Sequence, residues 1–336
     1  MKIVVLAGGC SGERNVSLTS GRAVFSALKS LGHEVTAVDP SLGENGIIDI
    51  ENMQIENRFP NEEELAELDP RKIIDCVNSN IFDDVDVAFN MLHGKWGEDG
   101  HTQSLLELRG IKQTGSGIRA CSVAMDKIMT KYLLASGGVH SPEWATLSKE
   151  DFEDFDSIKA IRSELGNRLV MKPYNQGSAL GMTIIDNGNI DEISDALKLA
   201  GKYTDIVLVE KFIEGREITV SVIDTEAYPI VEIKPHQGFY DYTNKYTKGK
   251  TDYICPADID EHLGEFIKDQ ALTAHHLLGC KGFSRVDFRL DDEGGVFCLE
   301  LNTVPGFTEL SLLPMAALAG GLEFADLCGK IINLAK

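Results

Sequence analysis

The chain has 336 residues, enough for two or three compact domains, and sets 32 basic against 53 acidic side chains for a formal charge of −21. That balance argues against nucleic acid or an anionic membrane as a partner. No apolar run reaches the ~18 residues of a membrane span, and the seven cysteines are scattered with no C-x-x-C, so the expectation is a cytoplasmic protein with reduced thiols.

Residues 3–6, Ile-Val-Val-Leu, form a continuous apolar run of the kind buried in parallel sheets. A glycine loop follows, then Val16, Ala23, Phe25, Leu28 and Leu31 near helical spacing, a stop at Gly32, and a second strand in HEVTAVDP. This order raises a dinucleotide site, with Ala7, Gly9 and Gly12 at the glycine positions. The fit is imperfect, because the acid Asp39 lies about 30 residues on where ~20 is expected. Glu13 also opposes it: a carboxylate at the mouth of a pyrophosphate site repels the ligand, whereas it attracts an ammonium group. The alternative makes Glu13 a first-turn acid favoured by the helix dipole.

Residues 41–85 are acidic and read as irregular until Val85, Val87 and Phe89 mark a further strand. The loop after it carries His93 and Glu98, placed where α/β folds bind ligands, although a lone loop histidine also serves structure. Gly115-Ser116-Gly117 is the first boundary, and the next helix carries Asp126-Lys127 ahead of Lys131. LVMKPYNQGSALGMTII is strand, loop, strand, which is not the strand-loop-helix of a Walker site. Gly177 and Gly181 let backbone N–H groups approach a phosphate, and Lys172 supplies a point charge; a plain hairpin tip is the alternative.

In VLVEKFIEGREITVSVI one strand ends at Glu210-Lys211-Phe212-Ile213 and crosses to another, with Ile218, Val220 and Val222 on one face and Glu217, Thr219 and Ser221 on the other. The long loop GFYDYTNKYTKGKTDYICPA, rich in tyrosine and lysine, reads as functional. A helix from about Asp258 to Leu277 leads into SRVDFRLDDEGGVFCLELNT, a β-hairpin. Pairing 286 with 301, 288 with 299 and 290 with 297 places Asp287 opposite Glu300 and Arg285 opposite Asn302. Two opposed carboxylates repel by up to about 1 kcal/mol unless a cation lies between them. Oxygen-only donors suit Mg²⁺, unless the acids simply neutralise Arg285 and Arg289. Val304-Pro305-Gly306 then turns the chain beside this site, and a helix led by Ser311 runs toward the C-terminus.

The blocks GGCSGERNVSLTSG, HGKWGEDGHTQ, MDKIMTK, MKPYNQGSALGM, EKFIEGREITV, GFYDYTNKY and RVDF…LELNTVPGFTELSLLPM occur in one order from residue 8 to 315. In them the chain resembles the ATP-grasp carboxylate–amine ligases, and within these the D-alanine–D-alanine ligase family. The resemblance implies an α/β fold: an N-terminal parallel-sheet domain (1–115), then an α+β two-lobed ATP-grasp fold (116–214 and 215–336). It implies ATP-dependent joining of two D-alanines through an acyl phosphate, for peptidoglycan precursor synthesis, in a homodimer that takes small-molecule substrates. Lys127, Lys172 and Lys245 would bind phosphates, under the loop of Gly177, Ser178, Ala179 and Gly181. Glu210, Lys211, Phe212 and Ile213 would read adenine, and Glu217 the ribose. Asp287, Glu300 and Asn302 would hold two Mg²⁺, with Mn²⁺ as a substitute. Arg285 and the Gly306 N–H would face the oxyanion, Glu13 the first ammonium, with His93 nearby, and Ser311-Leu312 the second carboxylate. Ser178 and Tyr246 would link to Glu13. The chain departs from the family at Ala179, where a second serine is common, at Thr243-Asn244 and at Glu309-Leu310. D-Serine or D-lactate as second substrate, a non-catalytic ATP-binding protein and an NAD-dependent oxidoreductase are the alternatives.

Overall fold

A computed structural model describes residues 1–56, 58–236, 238 and 249–335. Three sheets follow one another along the chain. The first is parallel, with β1 (Lys2–Leu6) between β2 (Glu34–Val38) and β3 (Val87–Asn90). Its central strand is apolar throughout because both faces are covered. One cover is the β1–β2 crossover helix Arg14–Ser30, which buries Val16, Leu18, Val24 and Leu28 and stops before Gly32 at φ +82.

The second sheet is antiparallel, in the order β4 (Trp144–Ser148), β7 (Ile206–Lys211), β5 (Leu169–Pro173), β6 (Thr183–Ile185). Met171, Val207 and Val209 pack there with Ile158 and Leu197 of the helices Phe155–Leu165 and Ile190–Ala200. The third sheet runs β11 (Thr251–Ile254), β10 (Val231–Pro235), β8 (Arg216–Ile223), β12 (Phe283–Leu290), β13 (Val296–Asn302), and the short β9 (Glu226–Ala227) pairs with β8. Ile218, Val220 and Val222 are buried with Ile267, Ala271 and Ala274 of the helix Glu261–Leu278. The opposite face of β8 carries Glu217, which borders the site, and the buried Thr219 and Ser221.

Three expectations change. The stretch 41–85 contains the helix Lys72–Asn78, whose Ile73, Cys76 and Val77 are buried at helical spacing. The C-terminal segment is two helices, Leu312–Ala319 and Phe324–Asn333, broken at Gly320-Gly321 with Gly321 at φ +87. Both contribute to the core of the first sheet, where Phe307, Leu313 and Ile331 meet Ile3, Val5 and Phe89. The hairpin pairs 285 with 302, 286 with 301 and 287 with 300, but then shifts to Phe288 with Cys298, Arg289 with Phe297 and Leu290 with Val296. A β-bulge at Leu299 takes up one residue, so Val296 and Cys298 enter the core instead of Phe297 and Leu299.

Candidate active site

The second and third sheets enclose a cleft of about 860 Å³ bordered by Lys127, Lys172, Ala179, Phe212, Asp287 and Glu300, within the usual range for small-molecule sites. Leu299, turned out by the bulge, is part of its floor.

Glu13 ends the loop after β1. That loop turns at Gly8 and Gly9, with φ of +93 and +77, and a Cβ on Gly8 would lie 2.7 Å from the Asp39 carboxyl. Gly8 N–H donates to Ser17 Oγ at 2.8 Å and Gly9 N–H to Asp39 Oδ1 at 3.1 Å. Arg14 pairs with Asp39 and also donates to Gly9 O at 2.8 Å and Ser41 Oγ at 2.9 Å. Asp39, whose spacing did not fit a dinucleotide site, is fully buried and braces the loop from inside.

The phosphate-side lysines are embedded in carboxylates. Lys127 Nζ donates to Gln176 O at 2.7 Å and lies 3.2 Å from Glu300 Oε2. Glu210 bridges two cations, Lys172 at 2.6 Å and Lys131 at 2.5 Å, with the Lys131 and Glu210 side chains 1% and 2% exposed. Burial pushes the Glu210 pKa up, but the two ammonium groups overcome it and hold the carboxyl at about 2. The Glu210 side chain is therefore the counter-ion of both lysines. Lys131 was not among the expected site residues; its place four residues after Lys127 on the helix Lys127–Ser136 puts both on one face, the signal that could have found it.

The loop after β5 turns through Ser178 and Ala179 at φ +50 and +58 and Gly181 at +71. It is closed by Leu180 N–H to Gly177 O at 3.0 Å and Met182 N–H to Ala179 O at 3.1 Å. Ser178 Oγ donates to the Glu13 carboxylate, joining this loop to the first sheet's. At the β7–β8 crossover, Lys211 N–H donates to Glu143 O and Phe212 N–H to Arg168 O, both at 2.9 Å. Arg168 lies over the Phe212 ring at 3.9 Å, and Arg289 donates to Ile213 O at 3.1 Å while approaching Glu217 at 3.5 Å.

On the hairpin, Asp287 is a hub. It accepts from Arg285 Nε and Nη2 at 2.8 and 2.6 Å, from Thr219 Oγ1 at 2.6 Å and from Asn302 Nδ2 at 3.0 Å. Thr219, which the β8–β12 register places opposite Asp287, also went unassigned in the sequence. Asp287 and Glu300 are opposed as expected. Among the described residues no three His, Cys, Asp or Glu side chains form a metal cluster. Two carboxylates and an amide are an oxygen donor set that suits a hard dication whose shell a nucleotide's phosphates complete.

Ser311 caps the helix Leu312–Ala319 at its N-terminus, and its Oγ accepts from Thr308 N–H at 3.0 Å. The Leu312 side chain is core, packed with Val231 and Ile233, so only its backbone can face a substrate. Gly306 lies close to Ser311. His93 is buried beside the site, with Nδ1 2.8 Å from Val304 O and Nε2 3.3 Å from Ser20 Oγ. Lys245 and Tyr246 lie outside the described residues.

The family described as "D-ala D-ala ligase N-terminus" matches residues 2–116, and "D-ala D-ala ligase C-terminus" matches residues 133–333. A D-alanine–D-alanine ligase of Syntrophotalea carbinolica is 39% identical over 98% of this chain and 95% of its own length. The chain belongs to the D-alanine–D-alanine ligase family. The family's solved structures share the fold. A Bacillus anthracis D-alanine–D-alanine ligase complexed with ATP superposes with a TM-score of 0.76 at 28% identity, covering 99% of this chain and 97% of that one. A D-Ala:D-Ser ligase of Enterococcus faecalis gives 0.76 at 30% identity over 99% and 98%.

Proposed function

We propose that this chain joins two D-alanines into D-alanyl-D-alanine, converting ATP to ADP and phosphate, as a cytoplasmic homodimer that supplies peptidoglycan precursors. One observation carries the reading: an unbroken run of contacts links the first-substrate residue to a phosphate lysine, the metal-binding carboxylates and the oxyanion arginine. Glu13 bonds Ser178, the same loop gives its Gln176 carbonyl to Lys127, Lys127 pairs with Glu300, and Glu300 opposes Asp287, which holds Arg285. Residues 1–115, 116–214 and 215–336 are the three domains, and the site lies where they meet.

The nucleotide occupies the cleft, its base against the crossover 210–213 and its ribose at Glu217. Lys127 and Lys172 neutralise its phosphates, with Lys131 and Glu210 fixing the direction of Lys172. Asp287, Glu300 and Asn302 would hold two Mg²⁺, or Mn²⁺, and the ions would supply Lewis-acid charge for phosphoryl transfer. The first D-alanine's ammonium rests on Glu13 and its carboxylate attacks the γ-phosphorus, releasing ADP and leaving an acyl phosphate. The second D-alanine, its carboxylate at the N-terminus of the Ser311-Leu312 helix, attacks with its amine. The tetrahedral oxyanion meets Arg285 and the Gly306 N–H, then collapses to the amide and expels phosphate.

The test is phosphate release from Mg-ATP with D-alanine alone and with added D-serine or D-lactate, the products identified by mass. D-Ala-D-Ala from D-alanine alone is the expected result, and silence with every acceptor sinks the reading. Arg285→Ala retains nucleotide binding while turnover drops by about 10²–10³-fold, the usual consequence of losing one oxyanion donor. Near-normal turnover in that variant removes Arg285 from the role.

A further inference from the structure

We infer that His93 and Ser20 are positioning residues that set the Gly306 backbone by closing a buried ring of hydrogen bonds across the turn that contains it; this rests on the proposed ligase reading. The turn is Val304-Pro305-Gly306-Phe307. On one side of Gly306, Val304 O is 2.8 Å from His93 Nδ1. On the other, Phe307 N–H donates to Ser20 Oγ at 3.1 Å. The ring closes where Ser20 Oγ meets His93 Nε2 at 3.3 Å. Ser20 lies in the helix that Glu13 begins, and His93 in the loop after β3, so two elements of the first sheet clamp a turn that leaves the third.

The proton of every member follows from its partner. Val304 O can only accept, so Nδ1 carries the imidazole hydrogen. Phe307 N–H can only donate, so Ser20 Oγ accepts it and keeps its own hydrogen for Nε2. The ring closes with neutral His93 in the Nδ1–H form, Ser20 donating to Nε2. Its surroundings agree: burial pushes the His93 pKa down, ahead of the opposing pull of Glu13. Ser20 and His93 are both buried. Pro305 has a fixed φ and no N–H, so the turn has few other anchors. Rotation of the Gly306 peptide is limited by what holds Val304 O and Phe307 N.

Ser20→Ala, His93→Ala, the double variant and His93→Asn test this. An Asn amide nitrogen lies near the imidazole Nδ1 position and keeps a donor for Val304 O. Each alanine variant is expected to lower kcat about tenfold, as one lost hydrogen bond does, while the KM for ATP stays within about twofold. The double variant is expected to be no slower than the worse single, because the residues act as one unit, and His93→Asn to recover most of the rate. Hydrogen exchange of the peptide spanning Phe307 is expected to accelerate in Ser20→Ala, a readout independent of turnover. Unchanged exchange removes the ring. Faster exchange with kcat within twofold of the parent removes the positioning role and leaves the ligase reading intact. A proportionate rise in the KM for ATP assigns the residues to general structure and overturns the inference. A parent chain that makes no dipeptide overturns the ligase reading, and this inference with it.

Discussion

Two glycine-bearing loops meet at Glu13, and they are anchored in opposite ways. The loop of residues 8–13 is held by elements of its own domain, through Asp39, Ser17 and the donation of Ser11 Oγ to His93 O at 2.6 Å. The loop of residues 177–181 has its own turns, and among the described residues its hydrogen bonds to other segments, with the preceding Gln176 included, go to Glu13 and Lys127. A ligand that takes up Glu13 or Lys127 therefore competes with the hydrogen bonds of the second loop, while the Ser17, Asp39 and His93 anchors of the first stay in place. Similar composition thus yields a fixed platform in one place and a cover that responds to its ligands in the other.

The largest effect separating the loops is expected from Asp39→Ala. It strands Arg14 beside a buried site and costs about 3 kcal/mol, as broken buried ion pairs do, seen as a lower denaturation midpoint. A midpoint equal to the parent's dismisses Asp39 as the brace. Next is Ser178→Ala, which lowers turnover about tenfold while stability moves by no more than about 0.5 kcal/mol, since the loop keeps its internal turns. If thermal stability falls as far as in Asp39→Ala, the two loops are anchored alike and the contrast fails. The smallest is Ala179→Gly, which relieves an L-residue at φ +58 and raises stability by up to about 1 kcal/mol. A loss of stability there would mean that the Ala179 methyl makes packing worth more than the strain.

Much of this arrangement could be read before any coordinates, for identifiable reasons. The alternation around Glu217, Thr219 and Ser221 and the pairing of Asp287 with Glu300 follow from strand period and a short turn, both local. The bulge was hidden because Cys298 and Leu299 are both apolar, so either register buries a suitable side chain. The helix Lys72–Asn78 was legible in the spacing of Ile73, Cys76 and Val77, but the surrounding acidic residues obscured it. The spacing of Asp39 already argued against a dinucleotide site, but its bracing role depends on Arg14 and Gly9 and could not be read from the strand end alone. Glu210 as counter-ion to Lys131 and Lys172, and the ring of Ser20, His93, Val304 and Phe307, depend on contacts between distant segments that no local pattern encodes.

The bulge at Leu299 has a consequence at the level of the gene. Because the extra residue lies between the ligand-bearing end of the hairpin and its core-packed end, an in-frame loss of the single codon for Leu299 would restore a regular ladder. The pairings 285–302, 286–301 and 287–300 would be preserved, and Cys298 would still face Phe288. What would vanish is one apolar side chain from the floor of the cleft. The strand thus keeps its charge-bearing positions and its hydrophobic floor as separable units of variation.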